Sequence, residues 1–239
     1  MQQKSFQNPL FIDIETVPAV GHFDQLSASM QALWKKKAAI LGYQTEEEQV
    51  TAYFEKAGIF AEFGKIVAIV VGYITPIDTG KNQLLIKSIA EHDEYILLSN
   101  FVSMIKCFPR SLNFCGHNIK EFDIPYLCRR MIVHDIALPS SLDIAGKKPW
   151  EVNHIDTLEM WKFGDRKAYT SLNLLAHLLG IPSSKESMDG SEVTHYYYTK
   201  QDLASITKYC IQDVIVTVQV YRKIAQLPLI DHDAVIITE

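Results

Sequence analysis

Cysteine is scarce in this chain, and its spacing excludes two structural devices. Cys107, Cys115, Cys128 and Cys210 form no Cys-x-x-Cys pair, so neither a disulfide framework nor a zinc site is expected. Their apolar surroundings suggest four reduced core thiols. A basic excess is missing too: 23 Lys and Arg face 28 Asp and Glu, giving a formal charge of -5. No global positive field is available to hold a polyanion, so any phosphate ligand must be recognised through shape and metal. The sequence has no leader-like N-terminus and no apolar run long enough to span a bilayer, so a cytoplasmic, membrane-free protein is expected. Internal repeats and low-complexity segments are also missing. What remains is 239 residues, 48% hydrophobic and 21% charged, an ordinary globular balance. It suits one domain over 1–239 with a helical insertion at 24–59 and a tail at 226–239.

The stretch from Leu10 to Pro18 sets two carboxylates into an apolar run. A period of two places Phe11, Asp13 and Glu15 on one face, with Leu10, Ile12 and Ile14 on the other. Two like charges that close repel in a buried strand, and a divalent cation is the economical means of holding them. Taken alone, the same residues also fit an edge strand with solvated acids.

Further along, Phe23 to Ile59 reads as two helices, the second capped by Thr45. Its Lys35-Lys36-Lys37 run fits a solvated face. Lys65 to Thr75 is the clearest central strand, and Gln83 to Ser88 returns beside it after a turn. A helix over Glu91 to Cys107 and a short strand from Ser111 to Cys115 follow. Pro125 is tolerated only in a first helical turn, so a helix begins near Asp123. Asp156 and Glu159 read as a capping box, a structural role for Asp156. Ser171 to Leu179 is a short helix stopped by Gly180, and Ser183 to His195 a polar loop in which Lys185 is a candidate phosphate contact. Thr199 opens a long helix through a second capping box. On it Tyr209 and Asp213, four apart, share a face. An acid inside an apolar stripe is costly unless paired or metal-bound.

In order, then, the chain carries a strand Asp-x-Glu, a helix-start Asp and a long-helix Tyr-x-x-x-Asp. Phe11-Ile12-Asp13-Ile14-Glu15-Thr16 resembles the first motif of the DEDD (DnaQ-like) superfamily of 3'-5' exonucleases. Asn118-Ile119-Lys120-Glu121-Phe122-Asp123-Ile124-Pro125 resembles the second motif. Tyr209-Cys210-Ile211-Gln212-Asp213 resembles the third, in its tyrosine subgroup. The Asn-x-x-x-Phe-Asp-x-Pro wording is most similar to the proofreading domain of family B DNA polymerases, here as a free-standing relative. The resemblance implies a ribonuclease H-like α/β fold, a mixed five-stranded sheet flanked by helices, with its first three strands antiparallel and a fifth strand around Asn153 to Asp156 that enters the following helix. It also implies two divalent ions, Mg²⁺ or Mn²⁺, acting on a phosphodiester. Asp13 would bridge both ions, Glu15 and Asp213 would complete one site, and Asp123 would hold the second. Tyr209 would orient the attacking water, since a phenol near its ordinary pKa of about 10 is protonated at neutral pH. Thr16, Asn118 and Phe122 would line the substrate end, although Phe122 fits core packing as well.

The expected substrate is single-stranded nucleic acid, DNA ahead of RNA, with replication or repair proteins as candidate partners. RNA trimming uses the same metals, and no residue here reports a 2'-hydroxyl contact. A catalytically silent binding domain is the rival from another class. Loss of an acid would have supported that rival, and all four acids are present.

Overall fold

The computed structural model describes residues 8–77, 80–165, 169–182 and 188–238. Its frame is a mixed six-stranded sheet. In chain order the strands are β1 (Leu10–Pro18), β2 (Gly64–Pro76), β3 (Asn82–Ala90), β4 (Phe114–Gly116), β5 (Ile155–Asp156) and β6 (Val235–Thr238). Across the sheet they run β5-β4-β1-β2-β3-β6. β1, β2 and β3 form an antiparallel meander, while β4 pairs parallel to β1 and β5 parallel to β4. The β-branched run of β2 is buried almost end to end, as a central strand requires.

The sheet is one strand wider than the sequence suggested. Val235 to Thr238 lies parallel to β3 in register with Leu84 to Lys87, so the tail is structural. It covers an edge of unpaired backbone groups that would otherwise invite association.

The helices are α1 (Ala28–Ile40), α2 (Glu46–Lys56), α3 (Glu94–Ile105), α4 (Asp123–Val133), α5 (Thr157–Lys162), α6 (Leu172–Leu178), the short α7 (Val193–His195) and α8 (Leu203–Ile224). α3 and α4 cover one face, where Leu10, Ile12 and Ile14 meet Leu97, Phe101, Leu127 and Met131. α8 covers the other, its Cys210, Val214, Val218 and Tyr221 packing on Phe11, Val70, Leu84 and Ile86. Each such side chain contributes about 1.5–3 kcal/mol on burial. α8 comes so close to β2 that a Cβ at Gly72 would stand 2.9 Å from Val214 Cγ1; this position demands glycine.

α1 and α2 form the expected insertion between β1 and β2, with a cluster of their own around Trp34, Ala38, Ala52 and Tyr53. Thr45 caps α2 as expected, through Glu48 N–H. In the lysine run, Lys35 pairs with Glu46 and Lys37 lies 4.2 Å from the centre of the Phe60 ring.

Three local expectations need correction. Asp202, not Thr199, caps α8, because the backbone from Tyr196 to Lys200 winds into a π-helical turn and Gln201 takes a left-handed conformation first. Asp156 caps α5 through Leu158 N–H, but Glu159 reaches across to Lys120 at 2.7 Å and does not close a box. Cys115 and Cys210 are buried as expected, whereas Cys107 is exposed past the end of α3 and Cys128 is half-buried.

Candidate functional site

β1 supplies the floor of the site. Its alternation turns Asp13 and Glu15 toward α8, and a register shift between Glu15 and Thr16 breaks the ladder to β2 directly after them. Glu15 is more than nine-tenths buried, and its carboxylate has neither a hydrogen bond nor an ion pair among the described residues. Such a group is stable only if it is neutralised or met by a cation.

α8 supplies the wall. Tyr209, Cys210 and Asp213 face β1 from α8, and the Tyr209 hydroxyl stands close enough to the Asp213 carboxylate for that charge to raise the phenol. Cys210 Sγ lies 3.2 Å from Asp13 Oδ2 and 3.4 Å from the Asp13 carbonyl oxygen. Ligand atoms of Asp13, Glu15 and Cys210 all fall within 4.8 Å of one another.

The fourth acid arrives from the end of β4. A Cβ at Gly116 would collide with Ile119 and stand 2.8 Å from the Ile12 carbonyl oxygen, so only glycine lets this turn close on β1. Asn118 follows at φ 64°, a left-handed conformation asparagine tolerates. Asp123 then opens α4, fully buried, and its Oδ1 accepts Ile14 N–H at 3.2 Å. The turn is tied down by Asp156, whose carboxylate accepts Asn118 N–H at 2.9 Å and Lys120 N–H at 3.2 Å.

Proton affinities record how crowded this charge is. Burial raises the Asp13 carboxyl well above the ordinary range, and Asp123 and Asp213 add to it. Glu15 is raised by burial, then by Asp13, Asp213 and Asp123. Asp123 is raised by burial to about 7 despite its backbone hydrogen bonds. Burial, with Asp13, Glu15 and Asp213, raises the Tyr209 phenol and the Cys210 thiol. An all-oxygen set of carboxylates with an unpartnered member fits hard divalent cations such as Mg²⁺ or Mn²⁺.

Asp13, Glu15, Asp123, Tyr209 and Asp213 are therefore brought by β1, α4 and α8 into one cluster, close enough for their charges to interact. Asn118 and Phe122 sit on the turn leading into it. Phe122 is half-buried, with its ring 5.5 Å from that of Tyr126. Thr16 turns away from the acids, toward the Tyr126 phenol. Lys185 lies outside the described residues. Two neighbours escaped sequence reasoning. Cys210 was read only as core, although its place beside Tyr209 on α8 carried the signal. At Gly190 a Cβ would stand 3.7 Å from the Tyr209 hydroxyl, and nothing in its polar loop announced that approach.

The sheet order and its flanking helices define an α/β protein of the ribonuclease H-like class. Within that class, residues 59–229 match the family described as predicted 3'-5' exonucleases related to the exonuclease domain of PolB. That is more than half of the chain, and the chain belongs to this family. The match includes Asp123, Tyr209 and Asp213 and starts after β1. Among solved structures, the chain is similar to the family B DNA polymerase of the hyperthermophilic archaeon Pyrobaculum calidifontis, with TM-score 0.55 and 17% identity. The similarity covers 92% of this chain and 25% of the polymerase, and at that identity it speaks for the fold. No curated protein matches the sequence significantly. Among the described residues, no helix is long and apolar enough to cross a membrane.

Proposed function

We propose that this protein is a metal-dependent 3'-5' exonuclease of the tyrosine subgroup, releasing nucleoside monophosphates from single-stranded or frayed DNA ends. The observation that carries the reading is the convergence of four carboxylates from three distant segments, one of them nine-tenths buried without a partner. Asp13, Glu15 and Asp213 would hold one divalent ion, and Asp13 with Asp123 a second. Bound there, two such ions supply charge stabilisation to the attacking and leaving oxygens of the phosphodiester.

The chain's own groups do the rest. Tyr209 keeps its proton because burial and Asp213 raise its phenol. Kept protonated beside Asp213, its hydroxyl would hydrogen-bond the attacking water and fix the line of approach. It positions the water and does not deprotonate it. Asp156 holds the turn that aims Asp123, and Asn118 and Phe122 lie where a terminal nucleotide would rest, one to hydrogen-bond and one to pack against a base. DNA is favoured over RNA because the family is related to a DNA polymerase's exonuclease domain. Replication or repair proteins remain the candidate partners.

The test is purified protein with Mg²⁺ or Mn²⁺ on end-labelled DNA and RNA strands side by side. Stepwise shortening from the 3' end, stopped by EDTA, is expected. Full activity in EDTA would overturn the two-metal reading, and faster shortening of RNA would overturn the substrate.

A further inference from the structure

The carboxylates that hard cations would use share their floor with a sulfur atom. Cys210 Sγ is 3.2 Å from Asp13 Oδ2, and together with Glu15 the three ligand atoms lie within 4.8 Å. A tetrahedral zinc site has Zn–S bonds of about 2.3 Å and Zn–O bonds of about 2.0–2.2 Å. Its S···O edge is therefore about 3.5 Å, close to the separation already present. Glu15, nine-tenths buried and unpartnered, supplies the third ligand without losing any bond it now makes.

We infer that Asp13, Glu15 and Cys210 form a thiolate-dicarboxylate trap for a thiophilic d¹⁰ ion, Zn²⁺ or Cd²⁺. Its occupation arrests the centre by removing Asp13 and Glu15 from the hard ions. This inference rests on the exonuclease reading only for what the trap inhibits; the binding itself follows from the three ligands. The same thiol has two states. With a hard ion it stays S–H and donates to Asp13, holding that carboxylate in place. With a soft ion the S–H bond breaks heterolytically, the proton leaves to solvent and an S–metal bond forms, with no change in oxidation state. Soft thiolate ligands favour zinc-like ions over magnesium by ligand type, not by geometry alone.

The probe is Cd²⁺, added to the metal-free full chain carrying Cys107→Ser to silence the exposed thiol. A cadmium-thiolate charge-transfer band in the ultraviolet is expected to saturate at one equivalent. It should vanish in Cys210→Ser and weaken in Asp13→Asn. Zn²⁺ affinity, measured by competition with Cd²⁺ or by calorimetry, should fall in Cys210→Ser by roughly ten- to a hundredfold or more. Loss of a direct ligand should cost at least what loss of an outer-shell partner does. Mg²⁺ affinity should fall far less. Cys210→Ala repeats the comparison if serine proves too polar for the buried position, with the unfolding midpoint as the control for folding.

A band that persists in both Cys210 variants, or no band at all, overturns the inference. A band lost with Cys210 in a protein that degrades no nucleic acid would sink the exonuclease reading and leave the trap standing. Nucleic-acid hydrolysis insensitive to Zn²⁺, with no cadmium band, would do the reverse.

Discussion

The carboxylates of Asp13, Glu15 and Asp123 bind protons more tightly in the fold than in the unfolded chain. Protonation therefore favours the folded state. The stability they contribute is fully present below the ordinary carboxylate pKa and is lost as pH rises through the raised values. For Asp123 that window runs from 3.8 to about 7. In EDTA, Asp13→Asn should accordingly raise the unfolding temperature at neutral pH. In saturating Mg²⁺ the order should invert, because only the wild type gains binding energy. A variant less stable than wild type in EDTA would contradict the crowding of charge. Tyr209→Phe removes one hydroxyl and little volume. Turnover should fall roughly ten- to a thousandfold while divalent binding, followed by calorimetry, stays intact. Asp213→Asn should lose more activity and metal affinity together, since it strips a ligand. The opposite ranking would reverse the roles given to the two residues.

Among the elements, α4 depends on two carboxylates outside the site. Glu94 is buried at the start of α3, where it takes Arg130 through Nε at 2.9 Å and Nη2 at 2.5 Å. It also accepts His134 Nε2 at 2.8 Å and Ile66 N–H at 2.8 Å. Glu94→Ala would strand a buried guanidinium, so a loss of about 3–5 kcal/mol is expected in urea unfolding. Asp156→Ala removes a cap and leaves two loop N–H groups without an acceptor; about 2–4 kcal/mol is expected. Activity should fall further than Asp156's distance from the chemistry suggests, because Asp123 loses its aim.

These ties also show what could be read from residues alone. β1, β2 and α8 were legible because their apolar periods are long and their polar interruptions few. Asp123 was legible because Pro125 dictates where α4 begins. Asp156 was legible as a cap, but its two bonds to the β4–α4 turn join residues about forty positions apart, and no local period carries such information. β5, only two residues long, was placed around Asn153 to Asp156 by the resemblance and not by a local pattern; β6 has four residues, too short for a pattern, and its existence is decided by the neighbouring strand. The sulfur of Cys210 looked like core because it is core, and its second role follows from which carboxylate the packing sets beside it.

The net charge of -5 bears on the whole molecule. Phosphate neutralisation by Lys and Arg supplies most non-specific affinity, and little is available here to offset the melting of a duplex end at about 1.4 kcal/mol per base step. Initial rates should therefore rank single-stranded and mismatched 3' ends above fully paired ones, with only modest loss in added salt. Preference for blunt paired ends, or cutting of closed circles, would defeat the proposal. The closing strand matters at this scale as well. Gln219 brackets Ile230 through its amide, donating to the carbonyl at 2.7 Å and accepting the N–H at 3.0 Å, and thereby guides the chain toward β6. Deleting residues 229–239 should expose the β3 edge and raise the concentration-dependent light scattering of the purified protein.

The private core of α1 and α2 has an optical consequence. Trp34 is wholly enclosed there, edge-on to Tyr53 at 5.4 Å and to Phe63 at 5.2 Å. Trp150, by contrast, is 76% exposed, and Trp161 is half-buried. The short-wavelength part of the emission spectrum thus belongs mainly to this helical pair. Hydrogen bonds fasten the insertion to the rest of the chain at Tyr53 to Val20 and at Gly58 to Tyr126. If the pair opens as a unit of its own, a red shift in emission and fast amide exchange over residues 28–56 should precede the loss of sheet signal during gentle denaturation.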